Sequence, residues 1–161
     1  MKTIYFIRHA KSSWDAPVSD VERGLNDRGY ADAKLIAEAL KSKQLDIDKV
    51  FCSIAKRAEI TCSIITYALE IPKDRISYKE ELYDFEGQGI LKFIKSLPDD
   101  LDQIMLFGHN PAFTGIVNIF SNSEIVNLPT CAVVGILFDI KSWSNFAQGK
   151  TILKLVPKDF K

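Results

Sequence analysis

Short apolar runs alternate with stretches of helical periodicity along almost the whole of this 161-residue chain. Apolar spacing is the strongest local signal of secondary structure, and an alternation of the two kinds leaves few architectures open. The runs predict strands near Thr3–Arg8, Lys49–Cys52, Ile76–Tyr78, Gln103–Phe107, Ala132–Ile140 and Thr151–Val156. Between them, Ala33, Ile36, Ala37 and Leu40 predict a helix over Asp27–Lys43. Likewise, Ala58, Cys62, Ile65 and Leu69 predict one over Lys56–Leu69. Further helices are expected near Gln88–Ser96 and Pro111–Phe120, with Pro72, Pro98 and Gly149 as breakers. The expected fold is therefore α/β, a three-layer α/β/α arrangement around a mostly parallel sheet. Only the Lys141–Lys150 loop separates the last two strands, so they should form an antiparallel hairpin.

Length fits one domain over residues 1–161, and 47% hydrophobic residues can fill its core. With 21 basic and 21 acidic residues the formal charge is zero, which points away from nucleic acid and from anionic membrane surfaces. The opening run Ile4–Ile7 is too short for a signal peptide, and no stretch could span a bilayer. Cys52, Cys62 and Cys131 lack CxxC spacing and read as buried, reduced thiols of a cytoplasmic protein. Two histidines and three scattered cysteines offer no metal-ligand spacing, so no metal or other cofactor is expected.

Chemistry concentrates at the ends of the runs. Both histidines of the chain lie there, His9 after Ile4-Tyr5-Phe6-Ile7-Arg8 and His109 after Ile104-Met105-Leu106-Phe107-Gly108. In open α/β sheets, ligands bind at the carboxyl edge of the strands. A neutral imidazole is a competent nucleophile toward phosphorus. Arg8 beside His9 could hold an anion. Ser53 is placed to cap the second helix, which puts Arg57 near its first turn, where amides and a guanidinium both favour anions. His109 opens the fourth helix, with Pro111 at a first-turn position. Taken singly, each residue has a plainer reading as a core or capping histidine or a solvated arginine. Their shared placement at strand-to-helix junctions points to a phosphate site.

Five ordered motifs carry a resemblance. Arg8-His9-Ala10-Lys11-Ser12-Ser13-Trp14, Asp20-x-x-Arg23-x-Leu25-x-x-x-Gly29, Ser53-x-x-x-Arg57-Ala58-x-x-Thr61, Glu81-Leu82-Tyr83 and Gly108-His109-Asn110-Pro111 follow one another along the chain. Together they resemble the histidine phosphatase superfamily, and most closely its short phosphohistidine phosphatases of the SixA type. The resemblance implies a phosphoglycerate-mutase-like fold and a metal-independent phosphoryl transfer. It makes His9 the nucleophile and makes Arg8, Arg57 and His109, with Arg23, the phosphate-binding groups. It also implies a main-chain acceptor on the other nitrogen of His9, to orient the attacking one. Glu81 is the first candidate for the general acid, with Asp84 and Asp20 as alternatives.

The segment from Arg57 to Gly108 has little length beyond a helix, a strand and another helix, so a shallow, open site is expected. The leading implication is a phosphatase of protein phosphohistidine, whose partner is a phosphorylated protein. A phosphatase of small phosphoesters or nucleotide-derived phosphates is the alternative. A non-catalytic phosphate-binding module is the third reading.

Overall fold

In the computed structural model, which describes residues 1–161, the strands are β1 (Lys2–Arg8), β2 (Lys49–Ser53), β3 (Ile76–Lys79), β4 (Gln103–Gly108), β5 (Val133–Phe138) and β6 (Lys150–Leu155). The helices are α1 (Asp27–Lys41), α2 (Lys56–Ala68), α3 (Gln88–Lys95) and α4 (Ala112–Phe120). Every expected element is present, each end lying within about two residues of its predicted place, the margin at which helices and strands fray. None of the helices is long and apolar enough to cross a membrane.

The strand order is β3-β2-β4-β1-β5-β6. The pairs β3–β2, β2–β4 and β4–β1 are parallel. The hairpin of β5 and β6 is antiparallel as expected, and β5 also lies antiparallel against β1. That last pairing has no local signature in the sequence.

Side chains alternate across the sheet. Ile4 and Phe6 of β1 and Ile104 and Leu106 of β4 join one core, under α3 and α4. Tyr5, Ile7, Met105 and Phe107 face the other, under α1 and α2. Burial on both faces is why these strands read as continuous apolar runs. On α1 the predicted stripe of Ala33, Ile36, Ala37 and Leu40 is buried, and the Asn26 side chain caps the helix by accepting from the Gly29 amide at 2.8 Å.

Chain path then creates the crevice. From β1 the chain passes over β4 to reach β2 and continues outward to β3, with α1 and α2 on one face. It returns through α3 on the opposite face to enter β4, beside β1. A reversal of this kind opens a gap at the carboxyl ends of the two strands, here β1 and β4.

Candidate active site

His9 and His109 leave those two strand ends side by side. Arg8 and Gly108 are register partners, the His9 amide donates to the Gly108 carbonyl at 3.1 Å, and the imidazole centroids are 5.2 Å apart. Close packing explains the glycine before His109. A Cβ at position 108 would lie 2.6 Å from the Phe113 ring, which packs edge-on against Phe6. Cys131 supports β1 from the far side, with a φ of 61° that turns its amide onto the carbonyls of Arg8 and His9.

His9 Nδ1 donates to the Ala10 carbonyl at 2.7 Å. A carbonyl can only accept, so the proton sits on Nδ1 and Nε2 keeps its lone pair. Burial lowers the His9 pKa to about 3; the Ala10 carbonyl opposes the shift, and the charges of Arg57, Arg8 and Arg23 add to it. The ring is neutral at pH 7. His109 is also brought down to about 3, by burial first and then by His9, Arg57 and Arg8, against Asp20. Its Nε2 meets Ser53 Oγ at 2.8 Å.

Arg57 sits in the first turn of α2, almost wholly buried. Its Nη1 donates to the Asp20 carbonyl (2.7 Å) and its Nη2 to Asp20 Oδ2 (3.0 Å). Arg8 donates through Nη1 to the Leu128 carbonyl (2.8 Å), and burial together with Arg57 lowers its pKa. Arg8 Nε, Arg57 Nε and His109 Nδ1 are buried without a protein hydrogen-bond partner. Burying a polar group unpaired costs about 1–3 kcal/mol, so three such atoms in one cluster mark a place built for an acceptor.

Residues 4–116 match the sequence profile of the histidine phosphatase superfamily (branch 1). The chain belongs to this superfamily. An uncharacterized protein of Mycobacterium leprae is 30% identical over 126 residues, covering 75% of this chain and 74% of that one. Among solved structures, the protein histidine phosphatase SixA complexed with tungstate superposes with a TM-score of 0.82 at 22% identity, over 99% of both chains. A protein of Agrobacterium tumefaciens, provisionally named a phosphohistidine phosphatase SixA, does so at 0.79 with 26% identity, over 97% of this chain and 98% of that one.

In this histidine phosphatase the first two motifs fold as one unit. Ser12 bridges Leu25, the Ser13 amide donates to the Gly24 carbonyl (2.9 Å), and the Asn26 amide donates to the Lys11 carbonyl (3.0 Å). A Cβ at Gly29 would fall 2.2 Å from the Lys11 carbonyl oxygen, so only glycine lets α1 start this close. Thr61 joins the loop to α2, accepting from the Ala10 amide at 2.9 Å and donating to the Arg57 carbonyl at 2.8 Å.

Arg23 reaches the cluster through the same unit. It donates to Ser12 Oγ at 2.7 Å and to Asp20 Oδ1 at 3.2 Å, under the exposed Trp14 ring, whose centroid is 3.6 Å away. Asp20 thus holds both Arg23 and Arg57 and accepts from the Tyr83 hydroxyl at 2.5 Å. Partial burial pushes the Asp20 carboxyl up, but Tyr83, Arg57 and Arg23 outweigh it and bring it down to about 2.

Two expectations need correcting. Ser53 does not cap α2: Ala55 precedes the helix, and Ser53 Oγ accepts from the Ala55 amide at 3.2 Å while turned toward His109. The reason is that β2 ends alongside β4, so the residue at its tip faces the neighbouring strand end. The second concerns openness. Only α3, β3 and two short helical turns lie between α2 and β4, yet His9 is only 7% exposed, and the Asp20 turn reaches across to Arg57.

The candidate acids diverge. Asp84 Oδ1 accepts from the Glu86 amide, and its Oδ2 accepts from those of Gly87 and Ile90, so it anchors the start of α3 and is not placed as a proton donor. Glu81 is exposed on the short turn Glu80–Leu82 that precedes Tyr83. Asp20 alone touches Arg57. Sequence reasoning missed the contacts made by Ser53, Thr61 and Tyr83. Their presence in the motifs was the available signal, but motif membership carries no partner.

Proposed function

We propose that this chain is a phosphatase that forms a transient phosphohistidine on His9 and acts on phosphohistidine displayed by other proteins. The observation that carries the reading is the set of buried, unpartnered nitrogens on Arg8, Arg57 and His109 beside a neutral imidazole whose Nε2 has no protein partner. Phosphoryl transfer spreads charge over three equatorial oxygens and asks mainly for positioning and electrostatics. In the first step, His9 Nε2 forms a bond to phosphorus as the bond to the leaving group breaks, and the leaving group departs with that electron pair. In the second, water oxygen bonds phosphorus, the Nε2–phosphorus bond breaks, and inorganic phosphate leaves with His9 neutral again.

The proton side of the site favours phosphohistidine. Asp20 is held ionised by the Tyr83 hydroxyl and two guanidiniums, and Asp84 is occupied by helix amides. An alkoxide leaving group needs a positioned acid, typically worth about 10²–10⁴-fold in rate. A protonated imidazole leaves without one. The names of the SixA-type structures accord with this choice. A cytoplasmic setting fits three free cysteines, all buried.

The test compares kcat/KM for a phosphohistidine peptide with that for a panel of phosphoesters. Faster turnover of the peptide is expected, with an acid-labile, base-stable phosphoenzyme trapped by rapid quench. Preference for the phosphoesters would replace this reading with a metabolite phosphatase. Binding of phosphate with no turnover of either class would leave a phosphate-binding module.

A further inference from the structure

Ser53 is fully buried at the tip of β2, and its hydroxyl has two neighbours. The Ala55 amide donates to Oγ at 3.2 Å, and His109 Nε2 lies at 2.8 Å. An amide can only donate, so it takes one lone pair of the oxygen and leaves the hydroxyl proton to be placed. His109 Nε2 is the remaining group in reach. If Nε2 carried the ring proton, the buried hydroxyl would have no acceptor, and Nδ1 would turn a bare lone pair toward the incoming phosphate oxygens. Both are costly. If Ser53 donates to Nε2, both conflicts disappear.

We propose that Ser53 is a positioning residue that donates its hydroxyl proton to His109 Nε2, fixing the tautomer with Nδ1–H as the phosphate-binding donor. The proposal rests on the reading of the site as a phosphate site. Burial, together with His9, Arg57 and Arg8, keeps His109 neutral, so the ring has a single proton and its location decides what the ring can do. Nδ1 is then a buried donor with no protein acceptor, as Arg8 Nε and Arg57 Nε are. On the phosphate reading, all three would present N–H to one anion. The same logic inverts for His9, where a carbonyl partner fixes the proton on Nδ1 and leaves Nε2 as the nucleophile. The two rings share a tautomer, one offering its lone pair and the other its proton.

The chain has only two histidines, so nitrogen NMR of protein labelled at histidine reads both rings directly, with His9→Ala assigning the signals. In the wild type, His109 should show a protonated Nδ1 and an unprotonated Nε2 near pH 7. Ser53→Ala should shift His109 toward the Nε2–H form and weaken binding of inorganic phosphate. It should also lower kcat on the order of tenfold, the scale at which losing the outer partner of a functional imidazole is felt. Ser53→Thr, which keeps a hydroxyl, should restore both tautomer and phosphate affinity. A wild-type His109 protonated on Nε2, or an unchanged tautomer in Ser53→Ala, would overturn the proposal. Because tautomer and phosphate affinity need no turnover, these outcomes stay separate from a failure of the phosphatase reading.

Discussion

The site has two unlike halves. One is built at strand and helix ends, where Arg8, His9, Arg57 and His109 are held by backbone carbonyls, by Ser53 and by the register of β1 against β4. The other is built on turns, where Asp20, Glu81, Tyr83 and Asp84 stand. In the first half, three buried nitrogens wait for an acceptor. In the second, carboxylates are engaged with arginines or helix amides, or stand in solvent. The contrast teaches where this protein concentrates its precision. On the proposed reading, buried donors would surround phosphorus, and the leaving group would depart largely unaided.

The strongest test of the rigid half removes its nucleophile. His9→Ala should cut turnover by on the order of 10⁴-fold or more, as loss of a covalent nucleophile does elsewhere, and no phosphoenzyme should be trapped. Weakened phosphate binding through the remaining cations should survive. Retained turnover would break the comparison, because the rigid half would then lack a catalytic purpose.

Next come the donors. Arg57→Ala and His109→Ala should each reduce kcat by about 10²–10³-fold, the usual effect of deleting one preorganised donor to a developing oxyanion. Steady-state kinetics on a phosphohistidine peptide supply the measurement. Losses confined to KM would mean that these groups bind ground state and transition state alike.

Titration sharpens the same half. Both imidazoles have folded values of about 3 against an ordinary 6.5. The unfolded chain takes up these protons near pH 6.5 while the folded chain resists until about 3, so their contribution is full above 6.5 and is lost as pH falls toward 3. The melting temperature should therefore decline between pH 7 and 4, and kcat/KM should show no acid limb near 6.5. A flat thermal profile, or activity halved near 6.5, would show that the rings are not neutral by burial.

The turn half should respond least. Glu81→Gln should leave phosphohistidine hydrolysis within about threefold of wild type, far below the 10²–10⁴-fold of a working acid, and should depress phosphoester hydrolysis more. Asp20→Asn frees Arg57 and Arg23 from a partly exposed carboxylate and should lower KM by no more than about fivefold, the equivalent of the roughly 1 kcal/mol of such an ion pair. A large loss of kcat for either variant on phosphohistidine would erase the distinction between the halves.

Local order was legible in the sequence because periodicity and capping act over a few residues. The apolar runs became β1 to β6, the stripe of Ala33, Ile36, Ala37 and Leu40 became the buried face of α1, and motif spacing marked His9, Arg57 and His109. What tertiary structure decided lies in pairings between distant residues. Ser53 and His109 are 56 positions apart, and Asp20 reaches Arg57 across 37. Nothing in the neighbourhood of either residue encodes such a partner. Ser53 reads locally as a helix cap and Asp84 as a spare acid. Strand order turned the first toward an imidazole, and the amides at the start of α3 claimed the second. A polar side chain takes the partner that folding brings within 3 Å or so, and desolvation makes that choice binding.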